Sequence, residues 1–128
     1  LNDVKIACND PIELNRALLS SGFAYDVKNR IEQLKIVNAL LPQIRDLRRI
    51  GSAAADICHV ATGMVDGYFE TGLFEWDLAA AELIAREAGC QTGDFAGNTL
   101  HPAQVLVSNP NIFSQLGNLI LTSSTSDR

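Results

Sequence analysis

From residue 27 onward, stretches with helical spacing alternate with short apolar runs that suit strands, and this order restricts the chain to a layered α/β arrangement. "VKNRIEQLKIVNALLP" (27–42) predicts a helix with Val27, Ile31, Leu34 and Val37 on one spacing and Pro42 closing it. "IRDLRRIG" (44–51) predicts a strand whose apolar positions are Ile44, Leu47 and Ile50. "SAAADICHVATG" (52–63) is small and apolar nearly all round, with Ser52, Asp56 and His59 on one stripe. That predicts a buried helix packed close to a sheet and ended by Gly63. "MVDGYFE" (64–70) predicts a strand despite its turn-like Asp66-Gly67 pair. A helix over Trp76–Ala88 follows, with Glu82 and Arg86 paired at i,i+4 and Gly89 as its stop. Strand patterns in "CQTGDFAG" (90–97) and "AQVLVSNP" (103–110) precede a last helix in "NPNIFSQLGNLIL" (109–121), capped by asparagine.

The beginning is less regular. "LNDVKIACN" (1–9) has a short β-like patch. "DPIELNRALLSS" (10–21) predicts a helix, with Asp10 as N-cap, Pro11 at N1, Glu13 at N3 and Gly22 as stop. "GFAYD" (22–26) is irregular. No repeat or linker divides the chain, so residues 1–121 are expected to form one unit and the polar residues 122–128 a frayed tail.

Composition narrows the function classes. The chain has 128 residues and 47% hydrophobic content, enough for one modest core. Its net charge of −5 gives no general attraction to nucleic acid, and Arg45, Arg48 and Arg49 are its only basic cluster. Cys8, Cys58 and Cys90 are far apart and odd in number, which argues against a disulfide framework or zinc site and fits a reducing, cytoplasmic setting. No run is long enough for a membrane span.

Two readings compete at Asp77, which follows Trp76 at the head of an alanine-rich helix. Its carboxylate either accepts first-turn N–H groups or faces a cleft and holds a metal. Asp56, on the buried helix, reads as a satisfied polar group. His59 reads as structural, because no second histidine stands at a metal-ligand spacing.

The ordered set Arg48, Gly51-Ser52-Ala53-Ala54, Asp66-Gly67-Tyr68, Glu70, Trp76-Asp77, Ala79-Ala80 and Glu87-Ala88-Gly89 closely resembles the C-terminal half of inositol monophosphatase-like enzymes. "LLSSGFAYD" resembles the family's threonine-glycine-phenylalanine-proline-tyrosine segment, and "DFAG" and "SNPNIF" sit where the family has similar pieces. The resemblance covers nearly the whole chain. It implies half of the α-β-α-β sandwich shared by inositol monophosphatases and fructose bisphosphatases, and a magnesium-dependent phosphomonoesterase acting on a small phosphorylated polyol. It further implies Asp77 as a magnesium ligand near the substrate and Glu70 as acceptor of a substrate hydroxyl. Gly51, Ser52 and Ala53 become a close-approach segment at a helix start, and Arg48 a substrate-side or interface charge. A homodimer is expected, with no nucleic-acid or membrane partner.

The family's glutamate pair and its Asp-Pro-(Ile or Leu)-Asp-Gly-Thr loop have no counterpart. "NDPIELN" is a near miss with Glu13, Leu14 and Asn15 in the last three places, and reads as a helix cap. This segment alone is therefore expected to bind magnesium weakly and to lack catalysis. Ala81, Met64 and Cys90 depart from the family's usual glycine, arginine and glycine. A nucleotide 3′-phosphatase, a histidinol-phosphate phosphatase and a non-catalytic binding or dimerisation module stay open as alternatives.

Overall fold

The computed structural model describes residues 3–10 and 12–125, with side chains to residue 123. Five strands form one mixed sheet: β1 (Leu18–Ser21), β2 (Asp46–Arg48), β3 (Gly67–Thr71), β4 (Gln91–Gly93) and β5 (Gln104–Ser108), in the spatial order β2-β1-β3-β5-β4. β1 pairs in parallel with both β2 and β3, and β5 is antiparallel to β3 and β4. Four α-helices cover the sheet: α1 (Val27–Leu40), α2 (Ala53–Ala61), α3 (Glu75–Glu87) and α4 (Pro110–Thr125).

Strand alternation separates two cores. Leu19, Phe69 and Leu106 point to one face and pack with Ile36 and Leu40 of α1 and Ile112, Phe113, Leu116 and Ile120 of α4. Their neighbours Leu18, Tyr68, Val105 and Val107 point to the other, against Ile57 and Val60 of α2 and Leu78, Ala81 and Ala85 of α3. Successive residues of a strand face opposite sides, so one short run feeds both cores. The result is three layers, helix pair, sheet, helix pair.

The helix expected over 10–21 does not form. A single 3-10 turn, Leu14–Arg16, leads into β1. Pro11, the expected N1 residue, lies outside the described residues. β1 is a central parallel strand buried on both faces, and such strands carry continuous apolar runs without alternation. The cap signals were local, and the two cores on either side of Leu18 and Leu19 outweigh them. The β-like patch at the start is also not a strand over its described residues; Leu1 and Asn2 lie outside them. The segment is anchored instead by Cys8 N–H to the Ala88 carbonyl (3.1 Å).

The other elements form where their periodicity places them, with changes at the edges. The Asp66-Gly67 pair makes no turn: β3 starts at Gly67, and buried Asp66 clamps the chain. Its Oδ2 accepts Leu18 N–H and its Oδ1 accepts Asn9 Nδ2–H, each at 2.8 Å. α1 buries Gln33, Ile36 and Leu40, while Val27, Ile31 and Leu34 of the predicted stripe are exposed. Gln33 is held by Ala24 N–H (2.9 Å) and by Thr71 Oγ1 (2.9 Å), which ties α1 to the 22–26 segment and to β3. α4 continues to Thr125, so residues 122–125 of the expected tail are helical; Ser126–Arg128 lie outside the described residues.

Candidate functional site

β1, β2 and β3 run in the same direction, so their carboxyl ends meet at one edge of the sheet. There they open a cleft of about 400 Å³. Gly22, Phe23 and Tyr25 enter it from the end of β1, and Arg49 and Gly51 from the end of β2. Glu70 and Leu73 come from the end of β3. The first turns of α2 (Ala53, Ala54, Asp56) and α3 (Trp76, Asp77) close the sides. Larger hollows lie beside α1 and between residues 12–15 and α4, but each is lined by one charged side chain only, Lys35 and Glu13 respectively. The smaller cleft gathers Arg49, Asp56, Glu70 and Asp77, and it is the candidate site.

The α2 wall begins at Gly51, whose φ of +94° is a left-handed conformation that glycine adopts freely. A Cβ there would meet nothing within 4 Å, so the demand is conformational and not one of space. Ser52 caps the helix by accepting Ala55 N–H at 3.3 Å. Ala53 and Ala54 line the cleft, and first-turn N–H groups have no acceptor within their own helix, at the positive end of its dipole.

Asp77 occupies the third position of α3, one turn inside the helix start. Its Oδ2 accepts Phe74 N–H at 3.0 Å, while its own N–H donates to the Phe74 carbonyl at 2.9 Å. This reciprocal pair fixes the helix start and engages Oδ2, and Asp77 lines the cleft. Phe74 and Trp76 stack beside it, ring centroids 4.6 Å apart.

Glu70 sits between these walls. The Tyr68 hydroxyl donates to its Oε1 at 2.6 Å. Burial raises the Glu70 pKa above the usual carboxylate range, and the nearby Asp77 charge adds to this. The Tyr68 hydrogen bond and Arg49 oppose it. Burial and the facing Glu70 push the Tyr68 phenol far up, so it stays a donor. Arg49 lies over the Phe23 ring at 5.8 Å, and Arg30 shares that ring at the same distance.

Beneath the cleft, Asp56 is 1% exposed. Among the described residues, Asp56 Oδ1, Ser20 Oγ and His59 Nδ1 are buried side-chain atoms without a hydrogen-bond partner. Asp56 is pushed up to about 6, chiefly by burial. The Ser20 hydroxyl is near enough to pull it down, short of a well-formed hydrogen bond; His59 also lowers it and Glu70 raises it. Asp56 is thus not the satisfied polar group expected from sequence.

Residues 1–125 match the model of the inositol monophosphatase family. The chain belongs to the inositol monophosphatase family. It is 43% identical over 113 residues to Nus factor SuhB of Vibrio cholerae, covering 86% of this chain and 42% of that protein. It is 48% identical over 86 residues to inositol-1-monophosphatase SuhB of Mycobacterium tuberculosis, covering 67% of this chain and 30% of that protein. The inositol monophosphatase of Anabaena (Nostoc) superposes with a TM-score of 0.86 at 33% identity, over 94% of this chain and 49% of that one. The chain therefore spans about half the length of these relatives or less.

Within this family member the residues expected from sequence divide. Gly51, Ser52, Ala53, Glu70 and Asp77 all line one cleft. Arg48, at the exposed end of β2, is not among the lining residues; its neighbour Arg49 is. Ala81 is buried among α2, α3 and the sheet, so its methyl group bears on packing and not on the cleft. Met64 is exposed. Sequence reasoning gave no site role to Arg49, Tyr68, Gly22 or Asp56. The alternation of β3 carried a signal for Tyr68, because residues 68 and 70 of one strand must share a face.

Magnesium takes about six oxygen ligands in octahedral geometry. Among the described residues no three His, Cys, Asp or Glu side chains converge as a metal ion requires. Asp77 has an oxygen to offer at the cleft, and the described residues do not complete a magnesium centre around it. Among the described residues no helix is long and apolar enough to cross a membrane.

Proposed function

We propose that this chain forms the substrate-side half of a magnesium-dependent phosphomonoesterase that hydrolyses inositol monophosphate or a similar phosphorylated polyol. The observation that carries this reading is the meeting of Glu70, Asp77 and the α2 start in one cleft. Glu70 Oε1 is taken by Tyr68, which leaves the second oxygen to accept a polyol hydroxyl. The Ala53 and Ala54 N–H groups supply donors on the facing wall, and Arg49 supplies a positive charge. A site built to pair with hydroxyls rejects ligands lacking them, because its polar groups are then left unpaired. Asp77 is proposed as one ligand of magnesium, with the remaining ligands and the catalytic carboxylates contributed from outside this segment. Bound magnesium would supply Lewis-acid charge at the phosphoryl oxygens.

Trp76 is the single tryptophan and lines the cleft, so its emission reports on ligand binding. Inositol 1-phosphate is expected to change that emission and Glu70→Gln to weaken the response roughly tenfold, the worth of one charge-assisted hydrogen bond. Equal responses from wild type and variant would overturn the Glu70 role. The chain alone is expected to release no phosphate from inositol 1-phosphate, with or without magnesium. A substrate panel that includes 3′-phosphoadenosine nucleotides and histidinol phosphate decides among phosphatase substrates.

Relatives named Nus factor SuhB remove the ground for excluding nucleic-acid partners on net charge alone. The homodimer remains a proposal, supported by exposed Val27, Ile31 and Leu34 on α1. Three free cysteines support a cytoplasmic setting.

A further inference from the structure

Cys8 lies on the irregular segment before β1, and Cys90 directly precedes β4. Far apart in sequence, they are neighbours in space. Cys8 N–H donates to the Ala88 carbonyl at 3.1 Å. The atom nearest to a Cβ built on Gly89 is Cys8 Sγ, at 3.9 Å. Cys90 belongs to the apolar cluster between the sheet and the α2–α3 pair, and the partly buried Cys8 and Cys58 pack against that cluster. Cys8 also acts electrostatically on the Cys90 thiol, as a close neighbour does. Cys58 sits on α2, whereas the close approaches of Cys8, to Ala88 and Gly89, both fall beside Cys90. The two adjacent thiols differ in access: Cys8 is partly exposed, and Cys90 is 7% exposed.

We propose that Cys8 and Cys90 form a dithiol modification site, which a small oxidised disulfide such as oxidised glutathione converts to an intramolecular disulfide. Access sets the order of events. Burial, reinforced by Cys8, pushes the Cys90 thiol up to about 12, so Cys90 is a poor first nucleophile. The Cys8 thiolate attacks one sulfur of the glutathione disulfide; that S–S bond breaks and one glutathione thiolate leaves. The Cys90 sulfur then attacks the Cys8 sulfur of the mixed disulfide. The Cys8–glutathione bond breaks, and the Cys90 proton ends on the departing glutathione. Two protein thiols lose two electrons in all, and one glutathione disulfide becomes two thiols.

The bond would tether the segment before β1 to the junction of α3 and β4. That segment also carries Asn9, which donates to Asp66 at 2.8 Å. In the reduced state it is held by hydrogen bonds and apolar contact alone. α3 carries Asp77 at its other end, so the tether acts on the helix that forms one wall of the cleft.

The test exposes the reduced 128-residue chain, natively folded, to oxidised glutathione, alkylates remaining thiols and maps peptides by mass. The expected product has a Cys8–Cys90 crosslinked peptide, no retained glutathione and an alkylated Cys58. Its melting temperature should exceed that of the reduced chain. Cys90→Ser should instead retain glutathione on Cys8, and Cys58→Ser should behave as wild type; circular dichroism checks that both fold. Stable glutathione on wild-type Cys8, pairing through Cys58, or crosslinking only between molecules would overturn the proposal. The wild-type map decides even if a variant fails to fold.

Discussion

Glu70 lies directly against Gly22. A Cβ built on Gly22 would fall 2.2 Å from Glu70 Oε1, the same oxygen that accepts the Tyr68 hydroxyl at 2.6 Å. The glycine is the floor on which the carboxylate rests. Its role is close approach, and not the helix stop expected from sequence.

Gly22→Ala follows from that contact. The clashing atom is the far end of a flexible side chain, so Glu70 swings aside and the fold survives. Stability should fall by about 1–2 kcal/mol, the worth of the lost Tyr68 bond. Binding of inositol 1-phosphate, read from Trp76 emission, should weaken by roughly tenfold or more. Denaturant unfolding measures the first quantity. A fully retained affinity would show that Glu70 does not bind ligand.

Asp77→Asn should separate capping from function. Asparagine keeps an oxygen for Phe74 N–H, so the melting temperature should change little, whereas Asp77→Ala should cost about 1 kcal/mol through the lost helix-start bond. In a protein that joins this segment to the rest of the family fold, Asp77→Asn should lower magnesium-dependent phosphate release strongly. Unchanged turnover would leave Asp77 with its helix-start role only.

Asp56 makes stability depend on pH. Its folded pKa of about 6 lies above the ordinary aspartate value of 3.8, so between these values the folded state holds more protons than the unfolded state. Stability from this group should therefore fall as pH rises from about 4 to about 6, by about 3 kcal/mol, and stay level above. Asp56→Asn should remove that slope and stabilise the protein at neutral pH. Denaturant midpoints at several pH values read this directly; an unchanged slope in the variant would assign the dependence elsewhere, with Glu70 the nearest alternative.

Asp66→Ala should be among the more damaging single changes. The carboxylate joins Asn9 and the Leu18 N–H, and the Asp66 backbone bonds both Leu18 and Asn109. Removing it orphans a buried N–H, at about 1–3 kcal/mol. Urea unfolding should show a lower midpoint with unchanged slope.

The sequence disclosed most of this fold because α2 and α3 have both pattern and punctuation. Small residues mark a close helix packing at 53–61, and Gly89 ends α3 where expected. β1 was hidden because a strand buried on both faces has no alternation to read, and Asp10-Pro11 supplied a local helix signal that tertiary burial overrides. Within the site, Gly51, Glu70 and Asp77 were legible through the family resemblance, and the structure adds that they share a cleft. Arg49 was obscured by its neighbour Arg48, since adjacent arginines differ only in which way the strand end turns. Asp56 was misread because position on a helix shows burial but not whether a carboxylate finds a donor.

The strand order has a consequence for how the site can change. From β1 the chain crosses by α1 to β2 on one side, then by α2 to β3 on the other, with the two helices on opposite faces of the sheet. Divergent crossovers leave a crevice at the carboxyl end of the strand between them, a topological switch point. The location of the cleft is thus a property of chain connectivity, while its chemistry belongs to loop residues beyond the strand ends. Substitutions at positions such as 23, 25, 49 and 73 can alter the lining of the cleft without moving the cleft itself.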